Sequence, residues 1–453
     1  MATAEIALLT ATEATAEIAR GALSAEDYTR ACLDQIAAIE NEVQAFAHLD
    51  PEHALAQARS LDERKAAGQA LGPLHGVPVA IKDIFDTADY PTECGSPILN
   101  GRRPWTDAAA VARLRAAGAV IIGKTVTTEF AYFHPGKTRN PHDRTRTPGG
   151  SSSGSAAAVA AGMVPLAIGT QTNGSMIRPA AFCGVFGAKP SHGLISRTGA
   201  LTLSRKLDHV GAFARSLPDL ALILNVLAGY DVQDADTRMS AHPNFVDFAN
   251  EKSPLPPRFA FVRTPIWEQA DADTRATFEQ VAGRLGDACF TLDLPEHFAG
   301  AWDALRAIMA VEMAHNLTAV TERGGEAGSS KVLRDFLAEG REIKATRYLA
   351  AMQEARALAA GFAEVFGHCN AIITPAAAGV APKGLEATGS PAFCSLWTLT
   401  GLPALNLPVL TGEGGLPLGL QLVGAVGDDA RLIRNANWLI DRLGKSAGRR
   451  RKN

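Results

Sequence analysis

The sequence predicts an α/β fold of the three-layer α/β/α type, in which a large, mixed, twisted sheet is covered by helices on both faces. Short strand patterns alternate with helical patterns in the first half of the chain, which is typical of a sheet that is at least partly parallel. Strand patterns return near the C-terminus, so both ends of the chain are expected to complete one sheet. With 47% apolar and 20% charged residues, the 453-residue chain has an ordinary globular composition and can bury a substantial core.

The first 60 residues are predicted to form helices. Ser24 precedes an apolar pattern with helical spacing, and Asp27 follows three residues later, which is the signature of a helix N-cap. In residues 76–83 β-branched residues alternate with short ones, and this pattern predicts a strand that ends at Lys82.

Further elements follow in the order helix, strand, loop, helix and strand. Residues 108–118 are predicted to form a helix stopped by a glycine, and residues 119–122 a buried strand. Residues 138–150 are polar and contain two prolines, so they are predicted to form a loop. The alanine-rich residues 153–163 predict a helix, and residues 164–168 a short apolar strand before a glycine-containing turn at 169–174.

In the rest of the chain the composition and the predicted elements change, and strand patterns then return near the C-terminus. From about residue 231 to 354 the sequence is richer in charge and in long helical patterns, which predicts a helical excursion that shapes a pocket. Three later runs (371–374, 404–410 and 419–423) predict strands. The predicted segments are N-terminal helices (1–60), a core (61–230), the helical excursion (231–354), the C-terminal part of the same core (355–444) and a basic, solvated tail (445–453).

Composition argues against several classes of function. The net charge of −3 offers no electrostatic footprint for nucleic acid. No run of about 18 apolar residues is present, so no membrane-spanning helix is expected. The six cysteines are scattered without a Cys-x-x-Cys pair, which predicts free thiols, a reducing cytoplasmic compartment and no zinc site. Neither a metal nor an organic cofactor is implied.

Residues 149–180 carry the strongest chemical signal. Two glycine-and-serine turns flank one alanine-rich helix and one strand. Glycines let backbone N–H groups crowd a small anionic centre, and the helix N-terminus favours the same charge. This pattern indicates an oxyanion site built from main-chain donors. It would also suit phosphate binding, but the phosphate-loop and dinucleotide signatures are both absent.

The same stretch resembles the signature of the amidase-signature family. A Gly-Gly-Ser-Ser run contains Ser151, and the serine of a Gly-Ser pair, Ser175, follows 24 residues later. The segment Gly76-Val77-Pro78-Val79-Ala80-Ile81-Lys82-Asp83 is similar to the family's lysine motif, and residues 403–408 and 415–421 also look like the family. The resemblance covers most of the chain and is weakest at 231–354. Three separated motifs occur in the family's order, which argues strongly against chance agreement.

The resemblance implies a Ser–Ser–Lys triad made of Ser175, Ser151 and Lys82. Ser175 would attack an amide as the nucleophile, and Lys82 would be the base if burial keeps its amine neutral. Ser151 would bridge them as donor and acceptor, after a cis peptide bond from Gly150 that the family has at this position. The implied oxyanion donors are the backbone N–H groups of Thr172, Asn173, Gly174 and Ser175. An acyl-enzyme would form with loss of ammonia or an amine.

A different hydrolase is also conceivable, because Gly150-Ser151-Ser152-Ser153-Gly154 fits the nucleophile-elbow pattern and would make Ser152 the nucleophile. That motif requires a buried strand directly before it. The preceding Thr145-Arg146-Thr147-Pro148 cannot form one, so the elbow is rejected. Ser152 and Ser153 are instead expected to cap the following helix.

The sequence departs from the broad family pattern around the nucleophile. The run Gln171-Thr172-Asn173-Gly174-Ser175 is followed by Arg178, a variant that resembles malonamidase-type members, which act on small amides that carry a carboxylate. Arg178 would then hold that carboxylate; alternatively it braces the loop through backbone carbonyls. Gly150, Gln171 and Tyr132 are the other candidates for substrate contacts, and Phe130 and Trp397 either line an apolar pocket or pack in the core.

The resemblance leaves other functions open. The amidase chain of a tRNA-dependent amidotransferase, which works only within an assembly, is similar as well. Hydrolysis of aryl or indole acetamides, or of ureido compounds of the biuret type, also remains open. The expected partner is a small-molecule amide, and a homodimer would suit the resemblance although no residue pattern indicates one.

Overall fold

The computed structural model describes residues 3–325 and 328–447. The described chain contains eleven strands, which all belong to one sheet. The strands are β1 (Phe46–Leu49), β2 (Pro78–Lys82), β3 (Val120–Thr125), β4 (Leu166–Gln171), β5 (Phe186–Lys189), β6 (His209–Ala214), β7 (Phe259–Arg263), β8 (Cys289–Asp293), β9 (Ala371–Pro375), β10 (Ala404–Thr411) and β11 (Pro417–Val423).

Helices flank this sheet and are distributed along the whole described chain. They are α1 (Thr3–Ala7), α2 (Ala11–Ala19), α3 (Ala25–Val43), α4 (Pro51–Ala66), α5 (Ala109–Ala116), α6 (Ser153–Ala160), α7 (Ile177–Cys183), α8 (Leu217–Leu227), α9 (Phe245–Asn250), α10 (Ala272–Leu285), α11 (Ala301–Arg323), α12 (Lys331–Glu342), α13 (Ala345–Phe366), α14 (Ala392–Leu399) and α15 (Asp429–Ala447).

The strand order across the sheet is β1-β3-β2-β4-β6-β5-β10-β11-β9-β7-β8. Strand β2 pairs in parallel with both β3 and β4, and β7 pairs in parallel with β8 and β9. The pairs between these two groups are antiparallel, as in β4 with β6 and β10 with β11. The predicted class, an α/β fold with a large mixed sheet flanked by helices, is therefore confirmed.

Several local predictions are also confirmed. The strand that ends at Lys82 is β2, and the strands predicted near the C-terminus are β9, β10 and β11. Ser24 is the N-cap of α3, because its side chain accepts a hydrogen bond from the backbone N–H of Asp27. The expected turn at 169–174 is shorter than predicted, since β4 continues to Gln171.

Other expectations were wrong, and short strands are the reason. The segment 231–354 is not only a helical excursion, because β7 and β8 lie in it and form one edge of the sheet. The first 60 residues likewise contribute β1 at the opposite edge. Strands of four or five residues give too few alternations for periodicity to detect among longer helical patterns. The predicted tail ends outside the described residues, which stop at 447.

The fold brings two strand ends to one location. The parallel strands β2 and β4 are neighbours, so Lys82 and Gln171, the last residue of each strand, lie at the same edge of the sheet. The turn between β4 and α7 carries residues 172–176 at this edge. This is the carboxyl-end position where ligands bind in open α/β sheets. Helix α11 packs over it and is held in turn by α12 and α13.

The close crossing of α11 and α12 depends on Gly340. A Cβ atom at this position would lie 2.0 Å from the backbone oxygen of Ala310 in α11. We therefore expect Gly340→Ala to lower the free energy of unfolding by about 1–3 kcal/mol, because the two helices must move apart. The matched control is Gly283→Ala in α10, where a Cβ meets nothing within 4 Å.

The control should raise the free energy of unfolding by about 0.5–1 kcal/mol, since alanine is the better helix former. Urea unfolding of the two variants beside the wild type measures both effects. Equal stability of the two variants would contradict the tight crossing.

Candidate active site

Lys82 and Ser151 lie in direct contact beneath the edge of the sheet. The Nζ atom of Lys82 donates to the Oγ atom of Ser151 at 2.7 Å and to the Oγ1 atom of Thr170 at 2.9 Å. Lys82 is fully buried, and Ser151 and Thr170 are buried as well. The peptide bond between Gly150 and Ser151 is cis. The structure therefore brings together the lysine and the bridging serine of the triad that the resemblance implied.

Burial lowers the pKa of the Lys82 ammonium to about 7, and the negative charge of Asp208 opposes this shift only in part. A lysine with this pKa is substantially neutral near pH 7 and can accept a proton. Lys189 in β5 has its pKa lowered to about 7 by the same cause, but its Nζ atom donates to the carbonyl oxygen of Leu402. Of these two lysines, only Lys82 contacts the signature serine.

Ser175 lies on the turn between β4 and α7 and is 8% exposed. The turn is braced by Gln171, whose side-chain oxygen accepts from the backbone N–H groups of Met176 and Ile177 at 2.8 and 3.0 Å. The side-chain amide of Gln171 donates to Thr398, whose hydroxyl donates to the carbonyl oxygen of Asn173. All these bonds of Gln171 stay within the protein, so its side chain fixes the turn that carries Ser175.

Backbone donors of this turn are available to a ligand. Within the part of the chain that the structure describes, the N–H groups of residues 172–175 donate to no other group. The Thr172 side chain is fixed by its hydroxyl, which donates to Asp208 at 2.6 Å. Unpaired N–H groups on a rigid turn are the donors that an oxyanion requires.

Asp208 is a buried carboxylate close to both parts of the site. Besides Thr172, it accepts from the backbone N–H groups of Leu203 and Ser204 at 2.8 and 2.9 Å. Burial raises the pKa of this carboxyl group to about 6, although these three hydrogen bonds favour the ionised form. At neutral pH it is largely ionised and fixes the side chain of Thr172.

A small cavity of about 20 Å³ lies in front of Ser175. Tyr132, Phe133, Met309 and Met313 form its apolar wall, so helix α11 supplies part of the pocket. Tyr132 stacks on Phe336 of α12 with ring centroids 4.7 Å apart. Phe130 and Trp397 are instead fully buried in the core, as their alternative interpretation expected.

Arg178 also lines this cavity, but its guanidinium group donates hydrogen bonds to backbone carbonyl groups. The two Nη atoms donate to the carbonyl oxygens of Gly150, at 2.6 Å, and of Gly389. Its Nε atom is buried and has no partner among the described residues. The side chain is 2% exposed, and burial lowers its pKa to about 10. This arrangement corresponds to the bracing alternative for Arg178.

Because Arg178 joins two loops, we expect Arg178→Met to lower the free energy of unfolding by about 2 kcal/mol by leaving two buried carbonyl groups without donors. Chemical denaturation measures the loss. Arg20→Met is the control, since Arg20 pairs with Glu17 on the exposed surface, where solvent screens the pair, and its loss should leave the free energy of unfolding nearly unchanged. Wild-type stability of Arg178→Met would show that the two contacts brace nothing.

The expectation for Ser152 and Ser153 was wrong. Neither side chain caps α6, since the N-cap at Ser152 makes no side-chain hydrogen bond to the helix. The hydroxyl of Ser152 donates to the carbonyl oxygen of Thr170 at 3.2 Å, and that of Ser153 to Val126 at 3.3 Å. These serines therefore tie the signature loop to β4 and to the residue after β3.

Sequence reasoning missed Thr170 and Asp208. Thr170 lies in a stretch predicted to be a turn, and only its position on β4 brings its hydroxyl to Lys82. Asp208 immediately precedes β6, an unpredicted strand, and a single acid between a leucine and a histidine carries no local signal. The antiparallel pairing of β4 with β6 is what joins the two residues.

Residues 3–325 and 328–447 hold neither a metal cluster nor a membrane span. No group of three or more His, Cys, Asp or Glu side chains in these residues is arranged to hold a metal ion. None of the helices there is both long and apolar enough to cross a membrane.

Similarity to known proteins extends over nearly the whole chain. The family model described as Amidase matches residues 27–433. The chain is 37% identical to a glutamyl-tRNA(Gln) amidotransferase subunit of Chloroflexus aggregans over 470 aligned positions, which cover 95% of each chain.

Two solved structures are similar throughout. One is a chain of a vestigial protein complex that reveals the evolutionary origins of an s-triazine catabolic enzyme. It is 31% identical, with a TM-score of 0.89, and the match covers 96% of the present chain and 98% of that chain. The peptide amidase from Stenotrophomonas maltophilia is 30% identical, with a TM-score of 0.83 and coverage of 96% and 97%.

Proposed function

Because the chain belongs to the amidase family and is a hydrolase of carbon–nitrogen amide bonds, we propose that it cleaves a small amide through an acyl-enzyme on Ser175. The contact of 2.7 Å between the buried Lys82 amine and Ser151 carries this proposal. A lysine whose pKa is lowered to about 7 can act as a base without a histidine.

The proposed reaction has two halves that share one proton path. The Oγ atom of Ser175 attacks the amide carbon while its proton passes to Ser151, and the proton of Ser151 passes to Lys82. The carbon–nitrogen bond then breaks, and the leaving nitrogen takes a proton back along this path. Water attacks the acyl-enzyme by the same route and releases the acid, which restores Ser175.

The oxyanion of each tetrahedral intermediate is proposed to bind the N–H groups of Thr172, Asn173, Gly174 and Ser175. The absence of competing acceptors for these groups within the described residues supports this role. The braces from Gln171 and Asp208 hold the turn in position before the substrate arrives. Donors fixed in this way stabilise developing charge without reorganisation.

Turnover and trapping test the proposal together. The purified chain is incubated with malonamate, glutamine, indoleacetamide, benzamide and biuret, and released ammonia is measured. An acid-quenched sample with a turned-over amide is then digested and analysed by mass spectrometry. We expect an acyl group on the peptide that contains Ser175. Turnover with an acyl group on another residue would contradict the proposal.

A second candidate function is that of the amidase chain in a tRNA-dependent amidotransferase. The similarity to the Chloroflexus aggregans amidotransferase subunit over 95% of both chains favours it. In that case glutamine would be the preferred amide, and the activity would rise in the presence of partner chains. Purification from the native host followed by mass measurement separates a mixed assembly from a homodimer or a monomer.

A malonamidase-type specificity is a further candidate, since Arg178 lines the cavity at Ser175 and its Nε atom is unpartnered among the described residues. Its weakness is that both Nη atoms already donate to backbone carbonyls. A preference for malonamate over propionamide, lost in Arg178→Lys, would support the carboxylate contact. Equal rates on the two amides would leave Arg178 as a brace.

A further inference from the structure

A second and much larger cavity lies beside the small one. Its volume is about 760 Å³, and it is bounded by the ends of β4, the loop from 197 to 205, helix α11 and the start of α13. Thr172 and Leu203 line both cavities, so the two are adjacent. Thr170, which accepts from the Lys82 amine, also lines the large cavity.

The position of the large cavity indicates which half of an amide substrate it would hold. The leaving nitrogen must take its proton from the Lys82 and Ser151 side, and the large cavity borders that side through Thr170. The carbonyl oxygen faces the N–H groups of the turn at 172–175, and the acyl group is bonded to Ser175, which lines the small cavity. The large cavity therefore corresponds to the amine half and the small cavity to the acyl half.

The two cavity volumes indicate a substrate whose amine half is much larger than its acyl half. About 10–15 Å³ of cavity volume holds one water molecule, so a cavity of about 760 Å³ far exceeds the needs of an ammonia leaving group. Cavities of several hundred Å³ are usual for organic ligands. The 20 Å³ beside Ser175 leaves room for only a very small acyl group.

The charges of the lining favour a cation over an anion. Arg197 and Arg205 are neutralised by Asp234 and Asp236 next to them. Two other carboxylates, Asp208 and Glu312, also line the cavity, and among the described residues neither forms an ion pair.

Glu312 is held by neutral donors. It accepts from the hydroxyl groups of Ser204 and Tyr348 and from the backbone N–H of Lys206. The Lys206 ammonium group interacts electrostatically with Glu312 and offsets its charge. The lining and its immediate ion-pair partners then carry four carboxylates (Asp208, Asp234, Asp236 and Glu312) against three cations (Arg197, Arg205 and Lys206), which leaves one negative charge for a ligand to neutralise.

We propose that the large cavity is an amine subsite and that the substrate is an N-substituted amide with a very small acyl group and a polar, cationic amine portion. This inference rests on the acyl-enzyme proposed for Ser175. When the carbon–nitrogen bond breaks, the nitrogen takes the proton returned through Ser151 and the amine leaves into the large cavity. The acyl group stays on Ser175 until water releases it.

A matched set of acetamides tests the subsite on the purified full chain. The set comprises acetamide, N-propylacetamide, N-(2-hydroxyethyl)acetamide, N-(2-aminoethyl)acetamide and N-acetylglycine, with acetate release as the common measurement. We expect kcat/KM for the aminoethyl compound to exceed that for the hydroxyethyl compound by about tenfold, as one partly screened ion pair allows. The anionic N-acetylglycine should be the poorest substrate.

Two variants probe the lining. Glu312→Gln removes the charge and keeps the hydrogen bonds, because an amide can accept from Ser204 and donate to the Tyr348 oxygen. It should reduce the ratio of the aminoethyl to the hydroxyethyl rate constants to about one. Thr202→Trp places a large side chain in the cavity from its exposed rim and should lower kcat/KM for the N-substituted compounds more than for acetamide. Thr106→Trp, on an exposed loop outside this lining, is the control and should leave every ratio unchanged.

The outcomes separate this inference from the proposed function. Turnover of acetamide without turnover of any N-substituted compound would overturn the amine subsite and leave the acyl-enzyme intact. A Glu312→Gln ratio equal to that of the wild type would overturn the cationic specificity. Failure of the wild type on every amide, here and in the ammonia assay, would overturn the acyl-enzyme and the subsite together.

Discussion

Replacing Ser175 with alanine is expected to lower kcat by about 10⁶-fold, the scale seen when a serine hydrolase loses its nucleophile. The large loss follows because no other hydroxyl group on the turn between β4 and α7 lines the small cavity apart from that of Thr172, which is committed to Asp208. The protein itself should remain folded, since Ser175 braces neither of the loops that Arg178 joins. Initial rates on the best amide of the panel, measured with thermal unfolding on the same samples, check both statements.

Ser153→Ala is the matched control for this change. Ser153 belongs to the same signature, but its hydroxyl donates to the carbonyl oxygen of Val126 at 3.3 Å. We expect its kcat to stay within about threefold of the wild type, because one weak hydrogen bond is lost outside the reaction path. A Ser153→Ala defect as large as that of Ser175→Ala would mean that the loop, rather than one nucleophile, is being disturbed.

The parts of the fold that the sequence predicts are those with a long or regular pattern. Strand β2 has a clear alternation and ends at the lysine, and the helix at Ser24 has a cap that needs only two side chains. Strands β5 and β6 are different, because glycine and alanine occupy many of their positions. Such residues have low intrinsic strand preference, and the neighbouring strands hold them in the sheet.

The residues of the candidate site also differ in whether the sequence reveals them. Lys82, Ser151 and Ser175 could be proposed from the sequence because the resemblance fixes their order and spacing along the chain. Thr170 and Asp208 were not, since their roles arise from the pairing of β4 with β6 and from a loop that returns to the turn. A motif therefore predicts which groups react, and the tertiary contacts determine which groups tune and hold them.

Arg178 and Gln171 illustrate a second limit. Both residues have side chains that suit a ligand; for Arg178 the sequence leaves substrate recognition and bracing open, and Gln171 is predicted only as a substrate contact. The structure resolves where their hydrogen bonds go, namely to the backbone of the signature loop and of the turn that carries Ser175. Long polar side chains in a buried site must satisfy such carbonyl and N–H groups before they can serve a ligand.

The pH dependence of kcat/KM should follow Lys82. Since burial lowers the pKa of its ammonium to about 7, the amine is neutral above this pH and protonated below it. The base is lost on protonation, so kcat/KM should fall about tenfold for each pH unit below 7 and level off above it. From the plateau to pH 5 the total loss is about 100-fold. An amide without ionisable groups is the substrate of choice, because its own titration cannot contribute.

The charge of Asp208 raises the pKa of Lys82, and this gives the profile a second test. In Asp208→Asn the Lys82 ammonium loses that stabilisation. The acid limb, which is the part of the profile where kcat/KM falls as the pH is lowered, should therefore move to lower pH. The hydrogen bonds can survive, because the amide oxygen accepts from the N–H groups of Leu203 and Ser204 while its nitrogen donates to the Thr172 hydroxyl. Asp429→Asn is the matched control: Asp429 is equally buried but bonds to Ser191 and lies beside Lys189, so its removal should leave the limb unchanged. A limb that moves in the control and stays in Asp208→Asn would identify Lys189, not Lys82, as the group that titrates.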